Sequence, residues 1–298
     1  MKKLLLCFLA ALMIVLPSCG GDGGQSAETT PNNPAETTPA ASTPADTTAE
    51  ETTSAFPRDK ETELKILFIG NSFTFFNDMP TKYFQKICGS VGYNVSVEAI
   101  TNGGHYLSEF ADKSDEYGKK VDKALRENKY DIVILQEQSG CPIADQSRFF
   151  GGVRDLAKKV KSNGAELYLY ETWGYKEGYS KLISHGGSTK IMEMKLRAAY
   201  TAIAEEVGAE VILAGVSMLD IHTQGEIEVY KDDLFHPSVK GSVLVAYTIF
   251  AKVFMEDPRA LAYTCGVGKA TSAAMKEAAY KAVFEEQPIP DSYKIKIK

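Results

Sequence analysis

Three residues of this sequence have the types and settings that nucleophilic chemistry requires: Ser72, Asp233 and His236. Ser72 sits in Gly70-Asn71-Ser72-Phe73-Thr74, directly after the apolar run Leu64–Ile69. A strand end, a glycine for the tight turn and an exposed hydroxyl are what a nucleophile on a strand-to-helix turn needs. Turns are also rich in Gly, Asn and Ser for conformational reasons alone, so this segment is a weak signal by itself. Asp233 and His236 lie in Asp232-Asp233-Leu234-Phe235-His236-Pro237-Ser238, just before a helical pattern. An Asp three residues from a His on a turn can hold one imidazole nitrogen and leave the other to act as a base. The same cluster would also serve as a helix N-cap, with Asp and Ser accepting from backbone donors. Of the four histidines, only His236 has a carboxylate at this spacing; His222 lies in an uncharged stretch and His185 beside glycines.

These residues need a scaffold, and the hydrophobic pattern supplies one. Leu64–Ile69, Asn94–Ile100, Asp131–Leu135, Glu166–Tyr170 and Glu210–Leu213 read as strands. Helical patterns cover Thr81–Gly89, Tyr117–Asn128, Phe149–Ser162, Ser188–Val207, Val239–Met255 and about Ala270–Glu285. In the fourth of these Met192, Leu196, Ala199, Ile203 and Val207 recur at helical spacing and predict one buried stripe. A long loop is expected between the last strand and the Asp-His segment. Strands apolar throughout and each followed by a helix predict a five-stranded parallel sheet covered on both faces, a doubly wound three-layer α/β/α fold. Such folds carry their chemistry in loops at the carboxyl ends of the strands. Ser72 and His236, from opposite ends of the domain, would both lie on that edge.

Gly70-Asn71-Ser72-Phe73-Thr74 and Asp233-Leu234-Phe235-His236-Pro237 resemble the first and last motif blocks of the SGNH (GDSL-like) hydrolases, over the whole of about 61–255. The G-x-S-x-G elbow of the α/β-hydrolases is absent. The resemblance implies a flavodoxin-like sheet, esterase or lipase activity, Ser72 as nucleophile, and Asp233 and His236 completing a triad. It also implies an oxyanion hole of three donors. The first is the N–H of Ser72. The second is a glycine N–H in Asn102-Gly103-Gly104-His105, with Gly104 favoured over Gly103. The third is a side-chain amide after the third strand. There the usual Gly-x-Asn-Asp is missing and the chain reads Leu135-Gln136-Glu137-Gln138-Ser139, which is similar to the Gln-Gly-Glu variant of the carbohydrate-esterase branch. By that match Gln136 is the third donor and Gln138 the fallback. Asn71 stands where the family most often has aspartate.

The front of the chain reads differently. Met1-Lys2-Lys3 and the apolar run Leu4–Leu16 have the form of a signal peptide, residues 1–18. The ending Leu16-Pro17-Ser18-Cys19 resembles a bacterial lipobox, which implies lipidation of Cys19 and a membrane-anchored, extracytoplasmic cell-envelope protein. An ordinary secretory signal containing a cysteine is the alternative. Residues 19–60 form a Thr/Pro/Glu-rich segment with too few apolar groups to offset the entropy of ordering. It is expected to be a disordered tether with a reach on the order of 35 Å, followed by a domain over 61–288 and a tail over 289–298. The formal charge of −6 sits largely in this segment: without Lys2, Lys3 and the six acids between Gly20 and Pro57, the remainder carries −2.

With no basic stripe, nucleic acid is not an expected partner. Without a C-x-x-C or His/Cys cluster, neither a metal nor any other cofactor is expected. Cys88, Cys141 and Cys265 are an odd set with no disulfide spacing and are expected to be thiols. Oligomeric state is not legible. Aromatic residues crowd the strand-end loops (Phe75, Phe76, Tyr106, Trp173, Tyr175, Tyr179), and Trp173, Asn71, His105 and Gln138 are candidate substrate contacts. Each has a plain alternative in packing or turn formation. The expected function is hydrolysis of carboxylic esters, acetyl esters on carbohydrates among them. Lipid or small-ester hydrolysis and a non-catalytic ligand-binding lipoprotein on the same fold are the alternatives.

Overall fold

The computed structural model describes residues 58–297. The expected signal peptide, Cys19 and the tether up to residue 57 lie outside the described residues. The sheet is five-stranded and wholly parallel, in the order β2-β1-β3-β4-β5. Its strands are β1 (Leu64–Gly70), β2 (Val95–Thr101), β3 (Ile132–Leu135), β4 (Glu166–Tyr170) and β5 (Glu210–Ile212). The helices are α1 (Ser72–Phe75), α2 (Gln85–Ser90), α3 (Leu107–Ala111), α4 (Glu116–Glu127), α5 (Cys141–Ala144), α6 (Gln146–Asn163), α7 (Thr189–Val207), α8 (Ala214–Gln224), α9 (Val239–Phe254) and α10 (Lys269–Phe284). A π-helical turn over Met79–Phe84 leads into α2.

Successive strand residues point to opposite faces, so each strand feeds two cores. Ile66, Phe68, Ile132, Ile134, Tyr168 and Tyr170 pack beneath α8, α9 and α10. Leu67, Ile69, Val133, Leu135 and Leu169 pack against α4, α6 and the second half of α7. This is the three-layer α/β/α arrangement the hydrophobic pattern predicts, with the flavodoxin-like sheet the family resemblance implies. The α7 stripe forms as expected from Met192 to Ile203, all buried, while Val207 is partly covered.

One expectation needs correction. The stretch after β5 is not a long loop, because Ala214–Gln224 forms α8, with Ala214, Met218 and Ile221 buried at helical spacing. In the C-terminal tail, Ile295 and Ile297 pack against the core on the α6 side. Residues before 61 also make contacts with the domain. The Arg58 guanidinium pairs with Glu166 at 2.7 Å and donates to the Val253 carbonyl at 2.7 Å, closing the amino-terminal edge of β4.

The sheet order reverses direction between β1 and β3. In an open parallel sheet, that switch point leaves a crevice at the carboxyl ends of the strands. The chain places Gly70-Asn71-Ser72 after β1 and Gln136–Ser139 after β3, one on each side of it.

Candidate active site

β1 ends at Gly70, where the chain turns sharply into α1. A side chain at Gly70 would meet Thr74 Oγ1 at 2.5 Å and Gln136 Oε1 at 2.7 Å, so the tight approach requires glycine. Asn71 caps α1: its side-chain oxygen accepts the Phe73 N–H, and its amide donates to the His105 carbonyl at 3.0 Å. Ser72 is the first residue of α1, so its N–H has no helical carbonyl to reach.

The Ser72 hydroxyl lies 2.9 Å from His236 Nε2. The other imidazole nitrogen, Nδ1, lies 2.8 Å from Asp233 Oδ2. The remaining Asp233 oxygen accepts the N–H of His236 at 2.9 Å and of Phe235 at 3.2 Å. Burial pushes the Asp233 carboxyl up, but these N–H donors and the imidazole together hold it below its ordinary value. It therefore stays ionised at neutral pH, the state needed to orient an imidazole and stabilise an imidazolium. Two other histidines also meet carboxylates: His105 meets Asp115 at 3.0 Å and His222 meets Glu177 at 2.8 Å. Among these three, only His236 also reaches a serine hydroxyl.

The Asp-His loop is held by aromatic packing. Trp173 is wholly buried and stacks face to face on Phe73, with centroids 4.5 Å apart and planes 4° apart. Its indole N–H donates to the Phe235 carbonyl at 2.9 Å. One side chain thus connects the neighbour of Ser72 to the neighbour of His236. Phe76 stacks on the exposed side of the imidazole at 4.1 Å, and the Tyr170 hydroxyl donates to the Phe73 carbonyl at 3.2 Å. Leu234 takes a left-handed conformation (φ 69°), and its N–H and carbonyl are both engaged, with Lys231 and Lys176. Strain of this kind persists only where its surroundings enforce it.

A pocket of about 350 Å³ opens over Ser72 and His236 and is walled by Gly103, Gly104, Gln138, Ser139, Phe76 and Phe235. Gly104 has φ 71°, which favours glycine, and its N–H makes no hydrogen bond among the described residues. Gln138 reaches the pocket in a fixed orientation, since its carbonyl oxygen accepts the N–H of Gly140 at 3.0 Å and of Cys141 at 3.1 Å. Its amide nitrogen keeps only a 3.4 Å contact to Ser139 Oγ.

Several candidates stand elsewhere. Gln136 is wholly buried beneath the Ser72 turn and lines no part of the pocket. Its oxygen accepts the Asn71 N–H at 2.9 Å and the Thr74 hydroxyl at 2.8 Å. Its nitrogen donates to Asn71 Oδ1 and to the Glu137 carbonyl. With both amide protons committed it has none to give a substrate, which corrects the expectation that it is the third donor. Trp173 also lies beneath the site rather than in it, since its ring is spent on Phe73. Asn71 is 2% exposed, and although it borders the pocket its side chain is spent on the turn. His105 turns its ring to Asp115 and contributes only its carbonyl, to Asn71. Sequence reasoning placed Phe76 among the strand-end aromatics but missed Ser139 and Glu137 in the site's construction. Glu137 had the clearest signal, a carboxylate two residues past an all-apolar strand.

No metal-binding cluster of His, Cys, Asp and Glu occurs among the described residues. Cys88, Cys141 and Cys265 are free, buried thiols. No helix among the described residues is long and apolar enough to cross a membrane.

No protein-family model matches the sequence, and no curated protein matches it. Solved structures do share its fold. A DUF4886 family protein from Bacteroides uniformis superposes with a TM-score of 0.66 at 18% identity, over 75% of this chain and 96% of that one. A protein from Slackia heliotrinireducens, assigned as an SGNH hydrolase, superposes with a TM-score of 0.53 at 28% identity, over 62% of this chain and 96% of that one. The five-stranded parallel α/β fold is shared with both, the second of them the SGNH hydrolase-like structure.

Proposed function

We propose that this protein is a serine ester hydrolase of the SGNH type, acting through Ser72, His236 and Asp233. The observation that carries this reading is the continuous chain from Ser72 Oγ through both imidazole nitrogens to Asp233, with steps of 2.9 and 2.8 Å. The shared fold with an SGNH hydrolase-like structure supports it.

A serine hydroxyl is a weak nucleophile until a base removes its proton. In this reading His236 Nε2 takes the Ser72 proton as Oγ bonds to the ester carbonyl carbon. The carbonyl π electrons move to oxygen, where the N–H groups of Ser72 and Gly104 and the Gln138 amide meet the charge. The tetrahedral species collapses, the C–O bond to the alcohol breaks, and His236 returns the proton to the leaving oxygen. Water then repeats the sequence on the acyl-serine and releases the acid. Gln138 takes the donor role because its amide stands at the pocket wall, whereas the Gln136 amide is consumed below it.

A pocket of about 350 Å³ with a rigid aromatic wall suits a short acyl group on a larger alcohol. Together with the resemblance of the segment after β3 to the carbohydrate-esterase branch, this favours acetyl esters on carbohydrates. Fluorophosphonate labelling and p-nitrophenyl acetate turnover test the reading. Wild type is expected to label and turn over, and Ser72→Ala to do neither. A wild-type protein inert in both assays sinks it in favour of a binding protein on the same fold. The lipobox-like segment supports attachment to a membrane through Cys19, with residues 20–57 as the tether. An alkyne fatty acid fed to expressing bacteria is expected to label wild type and spare Cys19→Ala; equal labelling removes the anchor.

A further inference from the structure

Glu137 stands between the two loops that carry the outlying oxyanion donors, and the mechanism above gives it no task. Its side chain is wholly buried. One carboxylate oxygen, Oε1, accepts the Gln138 N–H at 2.6 Å and the Leu107 N–H at 3.2 Å. Leu107 opens α3 three residues after Gly104, so a single atom joins the Gly104 loop to the Gln138 turn. The backbone of Glu137 is also fixed, its N–H by the Tyr200 hydroxyl at 3.1 Å and its carbonyl by the Gln136 amide. The second oxygen, Oε2, is buried and has no hydrogen-bond partner among the described residues.

We propose that Glu137 is the positioning residue of the oxyanion hole, its Oε1 pinning both donor loops and its carboxyl working in the neutral, protonated form. This inference rests on the esterase reading of the site. An ionised oxygen with no partner is costly in a dry interior, whereas a proton on Oε2 removes the charge and leaves Oε1 as an acceptor. A carboxylate directly behind the hole would also oppose the negative charge that develops on the substrate oxygen. The charged and titratable groups around it are Arg148 of α6, Glu109 of α3, Cys141 of α5 and Tyr200 of α7. Arg148 is engaged by Glu109 at 3.0 Å and Ser108 at 2.9 Å, so it does not pair with Glu137. Burial pushes the Glu137 carboxyl up to about 7, against the pull of the Gln138 and Leu107 N–H groups and of Arg148. Ionisation of Glu137 is expected to give turnover a decline on the alkaline side.

The test combines kinetics with a readout that needs no activity. Glu137→Gln keeps the acceptor and cannot ionise; it is expected to retain most of the turnover and to lose the alkaline decline. Glu137→Leu loses the acceptor, and its kcat is expected to fall about 100-fold with little change in KM. In wild type the Gln138 and Leu107 amide resonances should shift together with pH near neutrality, and in Glu137→Gln both should stay flat. An alkaline decline that persists in Glu137→Gln, wild-type kcat in Glu137→Leu, or amides that do not move together overturns the inference. Amides that titrate together in a protein that turns over no ester leave the pinning intact and bring down the esterase reading alone.

Discussion

Gln136 and Gln138 are two residues apart and carry the same amide, yet one is buried beneath the Ser72 turn and the other lines the pocket. Gln136→Ala removes a buried acceptor from the Asn71 N–H and the Thr74 hydroxyl. Leaving such donors unsatisfied costs about 1–3 kcal/mol apiece. Gln136→Ala is therefore expected to lower the urea midpoint clearly, with any loss of activity following from loss of folded protein. Gln138→Ala removes the acceptor of the Gly140 N–H, while the Cys141 N–H keeps the Gln138 backbone carbonyl at 3.0 Å. Its midpoint is expected to fall less than that of Gln136→Ala while kcat for p-nitrophenyl acetate falls about 100- to 1000-fold, the usual consequence of deleting one oxyanion donor. A reversal of the two phenotypes would return the donor role to Gln136. Ser72, Asp233 and His236 were legible as candidates because His236 is one of only four histidines and the only one with an Asp three residues before it, and Ser72 follows an apolar strand. The choice between the glutamines was not, because it depends on which amide the Asn71 turn consumes, and that turn lies 65 positions away in the chain.

The elements show the same division between local and distant causes. β1, β3 and β4 could be read from unbroken apolar runs, since a parallel strand buried on both faces has no polar alternation to hide it. α8 escaped because its buried positions, Ala214, Ser217, Met218 and Ile221, include a polar serine and lie beside Asp220 and His222. Trp173 could be read only as an aromatic in a strand-end loop; that it spans two loops depends on where Phe73 and Phe235 come to lie. This bridge links the Ser72 turn to the Asp233–His236 loop, which come from opposite ends of the domain. Trp173→Phe keeps a ring for Phe73 but removes the donor to the Phe235 carbonyl. The variant is expected to fold and to bind substrate with an unchanged KM, while kcat falls about tenfold as the His236 loop gains freedom, since small displacements of a catalytic group are expensive. An unaltered kcat would show that the loop is held without the indole.

For the molecule as a whole, its buried carboxyls invert the usual acid response. Glu171 and Glu193 are both buried at the carboxyl end of the sheet. Burial, with Glu193 nearby, raises the Glu171 carboxyl well above its ordinary value, outweighing Arg197 and the Gly215 N–H. Burial raises Glu193 to about 7 in spite of Arg197, which stands at ion-pair distance, 3.1 Å, without hydrogen-bond alignment. Between the ordinary value and the raised one, the folded chain keeps a proton that the unfolded chain has released. Stability therefore falls as pH rises through that window. The thermal midpoint is expected to decline from pH 5 to pH 7, and Glu171→Gln to flatten the decline; a midpoint that rises over this range would contradict the assignment. Trp173 is also the single tryptophan of the chain. All of the protein's indole emission therefore originates beneath Ser72 and His236, shielded from water and in contact with the ring beside the nucleophile. The molecule carries an intrinsic optical probe of its candidate active site. Excitation at the red edge of the absorbance band, mixed rapidly with an ester, would record acylation and its reversal in real time without any label.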